Sequence, residues 1–278
     1  MKYGVTVSTM ATEKRPATFG DGRAAQHFPG IRALGFHGVD LFIKPMPATE
    51  LAGLKKSLAS CGLEVSVVFP VMVFESGLSL SDPDPESRTM AVRTFKSQID
   101  LAAGLKAKIV LGLSRGNPVV GEPGSAFQDR FANSLLELTD HASKKSVDMV
   151  MEPIHRFLIG TFHRVEQCLE FFERYHLHTM QLLLDTFHMN IEERSIEGAI
   201  RLAGSRIGHV HAVDNNRGAP GDGHLDFVSI IAALRDVGYN RYLSVETQPE
   251  SDPYGTARRG ITMLRNIVNS LEAGTGSA

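Results

Sequence analysis

The 278-residue sequence predicts an α/β fold, a single (β/α)8 TIM barrel. Short apolar or β-branched runs recur at intervals of roughly 25 to 35 residues, and a longer amphipathic segment follows each run, which is typical of repeated βα units. Several runs are almost wholly apolar, as strands of a parallel sheet covered on both faces are. The chain length and the hydrophobic fraction of 42% fit one barrel of ordinary size.

Eight apolar runs can be counted, which is the number of strands that closes a TIM barrel. In chain order the predicted strands are Tyr3 to Ser8, Gly38 to Ile43, Glu64 to Pro70, Ala107 to Leu113, Val147 to Pro153, Gln181 to Thr186, Ile207 to Asp214 and Tyr242 to Thr247.

The intervening segments carry helix signals. A helix is predicted from Ala48 to Ser60, ending at Gly62, and Asp84-Pro85-Glu86 is typical of a helix start. A further helix from Phe227 to Val237 ends before Gly238. No linker or low-complexity tract marks a second domain, so we expect one domain over residues 1–278, with residues 272–278 as a disordered tail.

Composition narrows the classes of partner and compartment. The formal net charge is −2 and no block of basic residues occurs, which argues against nucleic acid or an anionic membrane as a partner. The two cysteines, Cys61 and Cys168, lack metal or disulfide spacing and indicate a reducing compartment. No stretch of about 18 apolar residues occurs. We therefore expect a cytoplasmic protein that acts on a small molecule.

Polar residues end four consecutive predicted strands. The carboxyl ends of barrel strands form the active site, so a polar residue that closes an apolar strand is a candidate site residue. Three carboxylates converging on one mouth would repel one another without a cation. The alternative for each acid alone is a cap for the next helix. Taken together the four residues predict a divalent metal site, formed by Glu152, Asp185, His211 and Glu246.

The predicted donor set is mostly oxygen with one imidazole nitrogen. Such a set suits Mn2+, Mg2+ or Co2+, while Zn2+ is less favoured and a thiolate site is excluded because no cysteine lies nearby.

Three segments give the chain a specific resemblance to known proteins. They are Met151 to Arg156, Leu184 to Glu193 and His209 to Asp214, and Asp-Thr-Phe-His-Met-Asn-Ile-Glu-Glu within the second is the most specific stretch. From about Lys2 to Asn269 the chain resembles the ketose 3-epimerases of the xylose isomerase-like TIM barrel superfamily, including D-tagatose, D-psicose and L-ribulose 3-epimerases.

The resemblance implies a metal-dependent isomerase that inverts C3 of a keto-sugar through a cis-enediolate. It implies that the four strand-end residues bind the metal, Mn2+ first with Co2+ or Mg2+ as alternatives, and that Glu152 and Glu246 also move protons. His188 and Arg217 match positions that hold the substrate near its carbonyl oxygen. Relatives are commonly homodimers or homotetramers, so self-association is expected.

Two positions depart from the family pattern. Many of these epimerases have Asn where His155 stands and Glu where Leu158 stands. Leu158 can accept no hydrogen bond from a substrate hydroxyl, and losing such an acceptor changes which sugar fits. The substrate therefore stays open at this point.

Several other residues have two interpretations. His209 lies two residues before His211, so both face the same side of a strand, and a hydrogen-bonded role below the metal is favoured over a fifth ligand. We expect Arg156 to be a buried partner of nearby acids. Phe69, Met72 and Phe74 are candidates either for an apolar pocket wall or for the core.

Other functions use the same site or the same fold. Aldose–ketose isomerisation, as in hydroxypyruvate or inosose isomerases, and keto-sugar dehydration need a similar proton abstraction. DNA repair endonucleases of the superfamily need more metal ligands on strands one to four than this chain offers. A sugar-binding barrel without activity would be distinguished by failure to bind metal.

Overall fold

The computed structural model describes residues 1–12 and 15–275. Eight parallel strands form a closed barrel in the order β1 to β8, with β1 paired to β8, which confirms the predicted fold class. The strands are β1 Lys2–Ser8, β2 Gly38–Ile43, β3 Glu64–Pro70, β4 Lys108–Leu111, β5 Met149–Met151, β6 Gln181–Asp185, β7 Ile207–Ala212 and β8 Tyr242–Val245.

Helices follow the strands and surround the barrel. They are α1 Ala24–Leu34, α2 Ala48–Cys61, α3 Val71–Glu75, α4 Pro85–Leu105, α5 Gly124–Lys144, α6 Val165–Arg174, α7 Thr186–Glu192, α8 Ile196–Ala203, α9 Phe227–Asp236 and α10 Pro253–Thr275. In the described part of the chain, no helix combines the length and apolar character needed to cross a membrane.

The predicted helix boundaries follow local chemistry. The Asp84 carboxylate accepts a hydrogen bond of 2.8 Å from the backbone N–H of Ser87, and Pro85 opens α4. Helix α2 ends at Gly62, whose φ of 62° lies in the left-handed region that glycine adopts without a Cβ clash.

Helix α10 continues to Thr275, four residues into the segment for which a disordered tail is predicted. The apolar face of α10 is anchored by the buried side chains of Leu264, Ile267 and Val268, and Leu271 packs against the same core. This packing outweighs the weak helix preference of the small, polar residues that follow. Residues 276–278 of the predicted tail lie outside the described residues.

Two apolar clusters hold the barrel. The larger cluster joins strands to the surrounding helices. The smaller cluster joins residues of β2 to β6 with Ala17 and Val71, and it lies inside the barrel because four of its members, Phe42, Phe69, Val71 and Val110, also line the cavity at the barrel mouth. Both cysteines are free.

Candidate metal centre and active site

Four consecutive strands bring the predicted ligand residues together. Glu152 follows β5, Asp185 ends β6, His211 lies in β7 and Glu246 follows β8. One donor atom from each residue lies within 4.8 Å of the others. The register explains this, because Asp185 pairs with His211 in the β6–β7 ladder.

The ring of His211 points into the carboxylate group. Its Nδ1 atom lies 3.2 Å from Glu246 Oε2, 3.7 Å from Asp185 Oδ2 and 4.0 Å from Glu152 Oε1. Neither ring nitrogen makes an aligned hydrogen bond, although the side chain is fully buried. A buried nitrogen without a partner that faces three carboxylates fits a divalent cation with mainly oxygen ligands.

Burial and mutual repulsion disfavour the charged forms of two of these carboxylates. The pKa of Glu152 is raised to about 8 by burial and by the neighbouring charge of Glu246. Burial also raises the pKa of Glu246. A bound cation would reverse this balance, because an adjacent positive charge favours the ionised carboxylates.

Asp185 caps the next helix, which was the alternative interpretation of each acid, and its second oxygen faces the other candidate ligands. Its Oδ1 atom accepts hydrogen bonds from the backbone N–H groups of Phe187, at 2.8 Å, and His188, at 3.2 Å, and so caps α7. Its Oδ2 atom accepts a hydrogen bond of 2.7 Å from Arg217. Although burial opposes ionisation, the Arg217 charge holds the pKa of Asp185 well below its usual range.

Arg217 and His188 lie beside the four-residue group. Arg217 Nη1 also donates to Glu246 Oε2 at 3.0 Å, and its Nη2 lies 3.2 Å from His188 Nε2. Since a guanidinium can only donate, His188 Nε2 is the acceptor and the ring proton sits on Nδ1. Burial lowers the pKa of His188 to about 3, so the ring is neutral. The Arg217 backbone has a φ of 64°, a conformation that is uncommon outside glycine and is found at functional sites.

A cavity of about 840 Å³ opens at this end of the barrel. Of the four candidate ligands, Glu152 and Glu246 line it, while Asp185 and His211 lie beneath and are fully buried. His188, Arg217 and His155 also line the cavity, so the position of His155 is that of a site residue. The remaining lining residues include Phe69 and Phe74, whereas Met72 is not among them.

Asp40 is a site residue that was not predicted from the sequence. Its Oδ2 atom accepts a hydrogen bond of 2.8 Å from His209 Nε2 and lies 3.3 Å from His211 Nε2, and its Oδ1 atom accepts a hydrogen bond from the Ser66 hydroxyl. His209 is therefore a hydrogen-bonded histidine, as predicted. Although burial opposes ionisation, the charge of His209, its hydrogen bond and the close contact with His211 hold the pKa of Asp40 well below its usual range.

A comparison with models of protein families shows which family the chain belongs to. Residues 28–267 match the model described as xylose isomerase-like TIM barrel. The chain belongs to this family. The D-psicose 3-epimerase of Agrobacterium fabrum is 34% identical to it over 98% of this chain and 93% of its own length.

Two further known proteins are similar to most of the chain. The 3-dehydro-D-guloside 4-epimerase of Escherichia coli is 26% identical over 86% of this chain and 93% of its own length. The structure of D-psicose 3-epimerase from Clostridium cellulolyticum H10 with D-tagatose has a TM-score of 0.81 at 24% identity and covers 96% of this chain and 99% of its own. That structure supports the fold.

Two arginines fix the loop that carries Glu152. Fully buried Arg115 donates to the backbone carbonyl of Glu152 at 2.7 Å, and no local sequence pattern predicts this contact. Arg156 donates to Glu192 Oε2 at 2.7 Å, which confirms an acidic partner. The prediction that Arg156 is buried is wrong, because 63% of its side chain is exposed and the buried member is Glu192. A long arginine side chain can reach an inner carboxylate from the surface.

Proposed function

We propose that this protein is a divalent-metal-dependent epimerase that inverts the hydroxyl-bearing carbon beside the carbonyl of a keto-sugar, C3 in a ketose. The observation that carries the proposal is the four-residue group beneath the cavity, in which only the two glutamates reach the cavity. The similarity to known epimerases of the same family supports it.

Glu152, Asp185, His211 and Glu246 are the residues that would hold the metal, and we propose Mn2+, with Co2+ or Mg2+ as alternatives, from the oxygen-rich donor set. When bound, the metal supplies Lewis-acid stabilisation of negative charge on the substrate oxygens, worth several kcal/mol.

The two glutamates are the proposed acid and base. A proton beside a carbonyl is weakly acidic, so a positioned base is needed to remove it, typically contributing about 10²- to 10⁴-fold. One of Glu152 and Glu246 removes this proton, and the other returns a proton to the opposite face of the cis-enediolate. His188 and Arg217 hold the carbonyl end of the sugar by hydrogen bonds, since both line the cavity next to these glutamates.

The cavity fits an uncharged sugar better than a phosphorylated one. Among the described lining residues, Arg15 is paired with Glu75, and Arg217 is paired with Asp185 and Glu246. Burial lowers the pKa of His155 and favours its neutral form. A phosphate would have to compete with these carboxylates for its cations.

Three expectations remain part of this proposal. We propose one functional domain over residues 1–278, a location in the cytoplasm, and assembly as a homodimer or homotetramer. The partner is a small keto-sugar, without nucleic acid or membrane.

The test is NMR of free and phosphorylated ketoses incubated with the Mn2+-loaded protein in D2O and then freed of metal. Deuterium at C3 together with the C3 epimer is the expected result. Deuterium at C1 with an aldose product would replace the proposal by isomerisation, and absence of exchange from every keto-sugar would refute it.

A further inference from the structure

The connection between β7 and α9 carries Arg217 and has no regular secondary structure over residues 213–226. Asp214 lies three residues before Arg217, and its side chain is fully buried. Asp214 belongs to neither group of candidate metal ligands and does not line the cavity at the barrel mouth. Metal or substrate contact therefore does not explain why a carboxylate is buried at this position.

Both oxygens of Asp214 accept hydrogen bonds from the backbone of this loop. Its Oδ1 atom accepts from the N–H groups of Asn215, at 2.9 Å, and Leu225, at 3.1 Å. Its Oδ2 atom accepts from the N–H group of Gly221 at 3.0 Å. Hydrogen bonds to a charged acceptor are stronger than those between neutral groups, and they offset the cost of burying it. The loop is therefore folded around this carboxylate.

The backbone of Asp214 also closes the turn that contains Arg217. The Asp214 carbonyl accepts a hydrogen bond of 3.0 Å from the Arg217 N–H, and the Asp214 N–H donates to the Gly218 carbonyl at 3.0 Å. The Arg217 carbonyl accepts from the Gln248 N–H at 3.1 Å, which ties the loop to the segment after β8. The φ of 64° at Arg217 is a conformation that persists only when surrounding contacts hold it.

The guanidinium of Arg217 has contacts that depend on its exact position. It donates to the carboxylates of Asp185 and Glu246 and contacts His188. Its Cζ atom also lies 4.6 Å from the centre of the Phe187 ring. A displacement of about 1 Å would disturb all of these contacts, and such a displacement at an active site can lower the rate by about 10²-fold.

We propose that Asp214 is a positioning residue for Arg217. Its carboxylate folds the loop between β7 and α9 so that the guanidinium reaches Asp185, Glu246 and the carbonyl end of the substrate. The inference rests on the proposed function, and it adds a residue that touches neither the metal nor the sugar.

Two variants disturb the Asp214 carboxylate in different ways. Asp214→Asn replaces one acceptor oxygen by an amide donor, so at least one N–H group of the loop loses its partner. Gly223→Ala keeps the carboxylate, but a Cβ atom at position 223 would overlap with Asp214 Oδ1 and displace it. The matched control is Asp222→Asn, because Asp222 lies in the same loop and forms a partly exposed ion pair with Arg259.

Nitrogen-15 NMR of the Arg217 Nε–H group measures the position of the guanidinium without turnover. The Mg2+-loaded protein is used because Mn2+ would broaden the signal, and the signal is assigned by its absence from Arg217→Ala. The Phe187 ring should shift it away from the signals of exposed arginines. We expect Asp214→Asn and Gly223→Ala to move it toward the exposed-arginine range, and Asp222→Asn to leave it in place. An unchanged signal in both folded variants overturns the inference.

A double-mutant cycle tests whether Asp214 acts through Arg217. With the keto-sugar that exchanges fastest, Asp214→Asn should lower kcat/KM by about 10- to 100-fold in the otherwise wild-type protein. In Arg217→Ala it should lower kcat/KM by less than about 2-fold, because the group that Asp214 positions is gone. A purely structural role would give the same factor in both backgrounds, and that result overturns the inference.

The two measurements separate this inference from the proposed function. If keto-sugars exchange and Asp214→Asn has wild-type kcat/KM, the positioning role is refuted and the epimerase proposal stands. If no keto-sugar exchanges with the wild-type protein, the epimerase proposal fails, and the Arg217 signal alone decides whether Asp214 positions the guanidinium. The same signal decides the inference if Arg217→Ala is inactive.

Discussion

Asp40→Asn is expected to weaken Mn2+ binding while leaving the four candidate ligands in place. The Asp40 carboxylate lies 3.3 Å from His211 Nε2, on the side of the ring away from the other carboxylates. Its charge favours a proton on Nε2, which leaves the Nδ1 lone pair directed at Glu246, Asp185 and Glu152. An amide keeps the shape of this group but removes the charge.

The magnitude follows from the contact. Partners that orient a metal-binding histidine are typically worth about 10- to 100-fold in metal affinity. Because the Asp40–His211 contact is close but not aligned as a hydrogen bond, we expect the lower end, about 10-fold, or about 1.4 kcal/mol. Titration calorimetry of the metal-stripped protein with Mn2+ at constant pH measures this directly.

Ser66→Ala is the control for this experiment, because it removes another hydrogen-bond partner of Asp40 and keeps the charge. Its Mn2+ affinity should change much less than that of Asp40→Asn. A folded Asp40→Asn protein with unchanged Mn2+ affinity would refute the orienting role of Asp40.

Three further predictions address the chemistry and the stability. Glu152→Gln and Glu246→Gln should each lower kcat for proton exchange by about 10² or more, and normal turnover in either metal-loaded variant would contradict the acid–base assignment. Removing the metal with EDTA should lower Tm by roughly 5 °C relative to protein at about 100 times Kd of Mn2+, and calorimetric scans that coincide with and without metal would argue against a metal site. Hydrogen bonds from Arg156 lower the pKa of Glu192 to about 2 in the folded protein, from a value near 4.5 in the unfolded chain. The stability that the Arg156–Glu192 pair contributes is therefore complete above about pH 4.5 and is lost as the pH falls toward 2. Urea midpoints should therefore differ more between wild type and Arg156→Ala at pH 7 than at pH 3, and an equal difference at both would show that the pair is not responsible.

The sequence was sufficient to predict the barrel and the convergence of the four candidate ligands, because both follow from where apolar strands end. Glu152, Asp185 and Glu246 each close an apolar run, and in parallel strands these ends meet at one mouth. Asp40 was missed for the same reason, since it lies in the middle of β2 and not at its end. A charged residue within a strand that is buried on both faces was the available signal.

Other features depend on contacts between distant segments. Arg115 stands in a polar turn after β4, where nothing local indicates that it reaches the Glu152 backbone 37 residues away. The apolar lining of the cavity combines residues from β2, β3 and β4, from helix α3 and from the turn after β4. Its shape depends on how those elements pack, which periodicity does not reveal.

Asp185 has a consequence for how mutagenesis at this centre is interpreted. One of its oxygens accepts hydrogen bonds from the first turn of α7, so only the other, which also accepts from Arg217, can face a cation. Replacing Asp185 should therefore lower the metal affinity, and it should also lower the free energy of unfolding of the metal-free protein. Glu246 has no such structural hydrogen bonds to backbone N–H groups in the described chain, so its replacement should separate the two quantities. Position 246 is accordingly where loss of activity can be assigned to chemistry rather than to folding.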